Sequence, residues 1–97
     1  MTQVINHDFT ANGQSPTEKW GGGKGYFNAF GSDFGGGTVS LQYSLDNSAT
    51  WIAMGENTTI TANGGGVFDQ TACNIRVNLS GATSPVIKSI ITKLRFE

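Results

Sequence analysis

The sequence predicts one all-β domain over residues 1–97, a jelly-roll-like sandwich of two antiparallel sheets with about eight short strands. Two observations predict this class. Apolar and polar residues alternate with the period of a strand in several segments, whereas no apolar repeat of helical period is longer than about two turns. Turn-forming residues, many of them among the 14 glycines, separate these segments at intervals of about 8–12 residues. A chain of 97 residues encloses one hydrophobic core, which two packed sheets can cover.

The first 37 residues contain three predicted strands. Val4–Phe9 is the first, with its odd-numbered residues on one face, and an Asn-Gly turn leads from it to a short strand at 17–20. A third strand at 24–30 carries aromatic or small apolar residues on both faces, so we expect part of each face to be buried. The loop at 31–37 contains Phe34, which is predicted either to close the end of the sandwich or to face a partner.

The clearest strand signal lies at 38–45. Its odd-numbered residues, from Val39 to Leu45, are apolar and alternate strictly with polar ones, so this face is predicted to point inward. The segment 51–54 is its expected hairpin partner. Further strands are predicted at 58–61, around 67–68, at 74–79 and at 86–96.

The last predicted strand, 86–96, is apolar on both faces. Its inward candidates are Val86, Ile90, Leu94 and Phe96. Ile87 and Ile91 then occupy the opposite face, which predicts that part of that face is covered as well.

Residues 44–51, SLDNSATW, resemble the Asp-box, a hairpin turn of sialidases and many other β proteins with the pattern Ser-x-Asp-x-Gly-x-Thr-Trp. The match departs at Ser48, where glycine is usual. An aspartate at a turn can accept backbone N–H groups, and hydroxyls can tie the ends together. We therefore interpret Ser44, Asp46, Thr50 and Trp51 as a structural turn. A single copy argues against a propeller and carries no catalytic implication.

Composition disfavours several classes of partner. Six Lys plus Arg against seven Asp plus Glu give a formal charge of −1, which offers no electrostatic reason to bind nucleic acid or an anionic membrane. Cys73 is the only cysteine, so no intramolecular disulfide and no cysteine-based metal site is expected. The first residues resemble no signal peptide, and we expect synthesis in the cytosol of the producing cell.

No group of residues predicts catalysis. His7 is the only histidine, and the adjacent Asp8 should point to the opposite face of the same strand. The carboxylates Asp33, Glu56 and Asp69 are scattered without the spacing of a metal site. The sequence therefore predicts no enzyme, no metal and no cofactor.

Three glycine-rich stretches lie at 21–25, 35–37 and 64–66. Loops that bind phosphate lead into a helix whose N-terminus faces the anion, and no helix is predicted after any of these stretches. We interpret them as mobile or tight connections between strands.

Four segments together resemble one group of proteins: WGGG at 20–23, FGGGTVSLQYS at 34–44, TW at 50–51 and IRVNLSGATSP at 75–85. Their order and spacing are similar to those of small β-sandwich virion proteins of tailed bacteriophages. The resemblance spans about four fifths of the chain. Such motifs are turn and hairpin chemistry that other β proteins can share.

That resemblance implies a capsid decoration, or cement, protein. Members of the group are small domains, often homotrimers, that sit on the outside of the phage head and bridge neighbouring major capsid subunits. It implies a virion location, the major capsid protein and further copies of this chain as partners, and synthesis in the host cytoplasm.

Two alternatives from other classes stay open. One is a carbohydrate-binding or host-adhesion module on a tail or spike, in which exposed aromatics stack on sugar rings. The other is a small hydrolase, against which the lack of a paired acid and base argues. The candidate interface anchors are Trp20, Tyr26, Phe34 and Phe68, because aromatic residues near loops are enriched in interfaces. Core packing is the competing role for each of them.

Overall fold

A computed structural model describes residues 4–93, which form two antiparallel sheets packed face to face. The strands are β1 (Val4–Phe9), β2 (Gly13–Gln14), β3 (Glu18–Trp20), β4 (Gly23–Asp33), β5 (Thr38–Ser44), β6 (Ile52–Ala53), β7 (Thr59–Ile60), β8 (Gly64–Gln70), β9 (Cys73–Ser80) and β10 (Val86–Lys93). A single 3₁₀ turn at Glu56–Thr58 precedes β7. The predicted all-β sandwich is confirmed.

The two sheets are built from strands that are far apart in sequence. Sheet I has four strands in the order β1-β10-β4-β8. Sheet II has six strands: β2-β9-β5-β6 form a continuous path, β3 also pairs with β9, and β7 also pairs with β5. Every pairing is antiparallel. The central strands, β4 and β10 in one sheet and β5 and β9 in the other, are each at least seven residues long and carry most of the residues that fill the space between the sheets.

The core lies between the inner faces of the two sheets. Its buried apolar residues are Phe9, Trp20, Phe27, Ala29, Val39, Leu41, Phe68, Ile75, Val77, Leu79, Ile87 and Ile91. Almost all of them come from the alternating positions of the strands, as a half-buried sheet requires. The inward face predicted for β5 is confirmed at Val39 and Leu41, but β5 ends at Ser44 and leaves Leu45 exposed.

The predicted orientation of β10 is wrong. Ile87 and Ile91 point into the core, whereas Val86 is 54% exposed on the other side of the sheet. Lys88 accounts for the orientation, because it shares the face of Val86 and Ile90 and its charge is costly to bury. The face of the two isoleucines carries only the small Ser89, whose buried hydroxyl donates to the backbone oxygen of His7 on β1. The predicted inward residues Leu94 and Phe96 lie outside the described residues.

The glycine-rich stretch at 64–66 is not a connection, as the sequence suggested, but the first part of β8. These glycines pair with Phe27, Asn28 and Ala29 of β4. A Cβ at Gly65 would overlap the backbone oxygen of Phe27. Glycine here permits close approach of two strands rather than mobility.

Candidate interaction surfaces

The outer face of sheet I carries a row of exposed apolar side chains. We call this surface the apolar face. Its apolar residues are the exposed Val4, Tyr26, Phe30, Val67 and Val86 and the half-buried Ile90, with polar residues such as Asn28 and Lys88 between them. Its members come from all four strands of the sheet. The strand register places Val4, Tyr26 and Val67 in one line across it, with Thr92 between the first two.

A groove of about 550 Å³ runs along the apolar face where β10 and β4 meet. Phe30, Val86 and Ile90 supply its apolar side chains. The register between the two strands shifts between Val86 and Ile87, a β-bulge that displaces the end of β10 relative to β4. Gly31 allows the strands to approach there, because a Cβ on it would overlap the backbone oxygen of Val86.

One ion pair lines this groove. Lys88 Nζ is 3.8 Å from Asp8 Oδ1, and the two side chains are 49% and 71% exposed. An exposed pair of this kind contributes little to the free energy of folding. Lys88 lies between Asp8 and Phe30 in the strand register, so the groove combines apolar side chains with one pair of opposite charges.

The four predicted interface anchors differ in burial. Tyr26 is 37% exposed on the apolar face. Trp20 and Phe68 are 1% and 5% exposed, so their assignment as interface anchors is corrected to the core. Their rings pack against each other with centroids 5.0 Å apart, and Lys93 Nζ lies 5.2 Å from the Trp20 ring centroid. The rings lie between the sheets because both residues occupy inward positions of their strands.

Phe34 has the first of the two roles that the sequence left open. It is half-buried and packs against the core from the loop after β4. The backbone oxygen of Phe34 accepts a hydrogen bond from Gly37 N at 2.8 Å, and Gly35 N donates to the Asp33 carboxylate at 2.7 Å. These bonds close the loop, so Phe34 covers the end of the sandwich.

The sequence did not single out Phe30, Val67 or Val86 as surface residues. The signal for Phe30 was present, since the segment 24–30 is apolar on both faces. Val86 was assigned to the wrong face with the rest of its strand. Val67 follows three glycines, which hide the alternation of β8 because they have no side chains.

The outer face of sheet II has the opposite character. We call it the polar face, and it comprises Gln14, Ser40, Gln42, Arg76 and Asn78, with Trp51 beside them. The side chains of this face bind one another across the strands. Gln14 Nε2 donates to Asn78 Oδ1 at 2.7 Å, and Arg76 Nε donates to Gln42 Oε1 at 2.8 Å. The guanidinium carbon of Arg76 also lies 4.2 Å from the Trp51 ring centroid.

The Asp-box-like turn forms the hydrogen bonds that its sequence predicts. Asp46 Oδ1 accepts from the Ser44 hydroxyl and from Thr50 N, each at 2.8 Å. The Ser44 hydroxyl in turn accepts from Ser48 N at 2.9 Å. Hydrogen bonds from Thr50, and then from Ser44, hold the pKa of the Asp46 carboxyl below its ordinary value because they stabilise the charged form. The turn is fixed by its own side chains.

The one departure from the motif has a visible consequence. Ser48 stands where glycine is usual and has a φ of 71°, in the left-handed region that favours glycine. Its hydroxyl accepts a hydrogen bond from Asn74 Nδ2 at 3.1 Å. This bond ties the turn to β9, a contact that glycine cannot make.

The ionisable groups predicted to be unsuited to catalysis lie apart. His7 is on the inner side of β1 with its ring 4.5 Å from that of Phe9, whereas Asp8 is on the outer side beside Lys88. Within residues 4–93 no three His, Cys, Asp or Glu side chains are grouped so that they could hold a metal ion. Burial raises the pKa of the Cys73 thiol.

No helix within the described part of the chain is long and apolar enough to cross a membrane. Comparisons with protein-family models, with curated proteins and with solved structures found no match to this chain.

Proposed function

We propose that this chain is a structural protein of a tailed-phage virion, a capsid decoration protein that binds the major capsid protein through the apolar face. The observation that carries the proposal is the presence of exposed Tyr26, Phe30, Val67 and Val86 on one outer face of the sandwich. Exposed apolar side chains grouped on one face of a monomer mark a candidate binding surface. The major capsid protein is proposed as the partner because the sequence resembles small virion proteins.

The apolar face has the composition of a protein interface. Aromatic side chains, here Tyr26 and Phe30, are enriched in the centres of interfaces, and charged groups lie at their edges. Asp8 lies on the edge strand β1, and Lys88 pairs with it from within the groove. Tyr26, Phe30 and Val86 lie on the central strands β4 and β10, and the backbone of a pre-organised interface moves little on binding.

The protein would stabilise the shell through contacts that are distributed over many copies. Each copy, assembled as a homotrimer, would span a joint between capsid subunits and add its binding free energy to the closed shell. Pressure from packaged DNA must then break many interfaces at the same time. A rigid sandwich suits this role, because its surface is presented without a prior loss of conformational entropy.

The test uses heads of the encoding virus assembled with and without this protein. We expect heads that carry it to survive a higher temperature, and cryo-electron microscopy to locate density for it on the outer surface. Equal stability together with an unoccupied surface would exclude the proposal. Density on the tail instead would also exclude it and favour the adhesion module.

A pair of variants tests whether the apolar face is the docking surface. Phe30→Ser removes an aromatic from the face, whereas Leu45→Ser removes an exposed apolar side chain from the turn after β5. Truncating a central interface aromatic typically weakens binding by roughly 2 kcal/mol or more, about 30-fold. We expect this loss of head occupancy for Phe30→Ser only. Equal occupancy of the two variants would contradict the assignment.

A further inference from the structure

Arg76 on the polar face is held in one orientation by two different contacts. Its Nε donates to Gln42 Oε1 at 2.8 Å, and its guanidinium carbon lies 4.2 Å from the Trp51 ring centroid. The first contact fixes one edge of the planar group and the second packs it against the ring. The side chain is half-buried, so its conformational freedom is already restricted before any ligand arrives.

The remaining edge of the guanidinium is unused within residues 4–93. No carboxylate in that range forms an ion pair with Arg76, and its Nη atoms donate no hydrogen bond there. The free donors form a planar fork that matches the two oxygens of a carboxylate. An oriented arginine without a counter-ion is therefore a preformed receptor for an anionic group.

The surroundings of Arg76 favour a sugar over an acidic peptide. The neighbouring side chains Gln14, Gln42 and Asn78 carry amide groups, which donate and accept hydrogen bonds as the hydroxyls of a sugar ring require. These amides lie on the surface of a sheet, which gives a flat platform. The exposed large apolar residues that a peptide side chain would contact lie on the other sheet or near the turn, not among these amides.

We propose that the polar face binds an acidic sugar of the uronic acid class, with its carboxylate on the Nη donors of Arg76. Trp51 is a positioning residue that packs against the guanidinium of Arg76 and holds its orientation. The side-chain amides of Gln42 and Asn78 form hydrogen bonds with hydroxyls of the sugar ring. The site is independent of the proposed function, because it lies on the opposite side of the sandwich from the apolar face. On a decorated head it would face outward.

The first experiment is an NMR titration of the isolated full-length chain with trigalacturonate. We expect shifts of the Arg76 Nε–H and Trp51 indole signals, and none when the same trisaccharide carries methyl esters that remove its charge. Equal shifts with the ester would overturn the role of the carboxylate. Equal binding of a triglutamate peptide would overturn the assignment to a sugar.

Two variants localise the site by isothermal titration calorimetry. Arg76→Lys keeps the charge and loses the fork, and we expect affinity for trigalacturonate to fall by roughly 10- to 100-fold. Lys88→Gln removes one positive charge from the other side of the molecule and should leave the affinity unchanged. Equal weakening by both would indicate diffuse attraction and overturn the site. The wild-type titration reports on the site even if Arg76→Lys were to unfold.

Discussion

The two outer faces of the sandwich differ in the contacts that their side chains make within the chain. On the polar face, Arg76 binds Gln42 and packs on Trp51, and Gln14 binds Asn78. Several groups of this face therefore find partners within the chain, while the Nη donors of Arg76 stay open within residues 4–93. On the apolar face, aromatic and branched side chains stay exposed to solvent, and Lys88 among them pairs with Asp8 on the edge strand β1.

The contrast identifies the apolar face as the surface on which the fold leaves large apolar side chains uncovered. Both sheets bury most of their inner faces, so the core does not explain why one outer face is apolar. Exposed apolar area costs solubility and contributes nothing to folding while it stays exposed. The proposed docking contact would account for the apolar face, whereas the polar face is stable in water as it stands.

Substitution of two phenylalanines on β4 should give the largest difference in the free energy of unfolding between an inner and an outer position. Phe27 is 0% exposed on the inner side and Phe30 is 41% exposed on the outer side. We expect Phe27→Ala to lower the free energy of unfolding by about 3–5 kcal/mol, because it leaves a cavity in the core. Phe30→Ala should cost less than about 1 kcal/mol. Urea denaturation of the two variants measures both values.

A similar loss at both positions would break the comparison. It would mean that Phe30 contributes to the fold of the single chain and is not reserved for a partner. The same measurement on Leu45→Ala, another exposed apolar position, supplies the baseline for an outward side chain.

The glycine at the bulge gives the next largest effect. Gly31→Ala would force a Cβ against the backbone oxygen of Val86, and we expect a loss of about 1–3 kcal/mol from overpacking. The substitution should also displace Val86 and reshape the groove of the apolar face, leaving the polar face intact. NMR chemical shifts test this, since we expect changes around the groove and none at the Trp51 indole. Shifts of similar size on both faces would show that the faces are not independent.

Sequence alternation predicted most of the fold. The strands around Val39, Ile75 and Val77 follow the two-residue period cleanly, because one side of each is in the core and the other is polar. The period fails where both sides of a strand are apolar, as in β10. There the polar side chains decide, because the charged Lys88 stays on the solvent side while the small Ser89 can be buried with its hydroxyl bonded to β1.

The candidate surfaces were less predictable for the same reason. An aromatic residue has similar sequence surroundings whether it fills the core, as Trp20 does, or lies on a surface, as Tyr26 does. The Asp-box-like turn was predictable because its bonds join residues within one short segment. The pairing of Arg76 with Trp51 was not, since it depends on how two distant segments meet.

The turn beside the polar face gives an effect that depends on pH. The pKa of Asp46 is lowered in the folded chain by hydrogen bonds from Thr50 and Ser44, so its carboxylate stabilises the fold above the unfolded pKa. That contribution is lost as pH falls through the folded pKa, below about pH 4. We expect the stability difference between wild type and Asp46→Asn to shrink as pH is lowered through this range. A difference that stays constant down to about pH 2 would contradict the role of the charge.

The ion pair on the apolar face gives the smallest effect. Because Lys88 and Asp8 are 49% and 71% exposed and 3.8 Å apart, Lys88→Gln should change the free energy of unfolding by no more than about 0.5 kcal/mol. Salt sharpens the test, since the Debye length falls from about 30 Å at about 0.01 M to about 3 Å at about 1 M. We expect the small wild-type advantage to vanish at high salt in urea denaturation. An effect above about 1 kcal/mol that persists in salt would mean that these charges help to hold the sheet together. The apolar face would then owe part of its structure to the charged groups within it, and the contrast between the two faces would be weaker than the exposed side chains indicate.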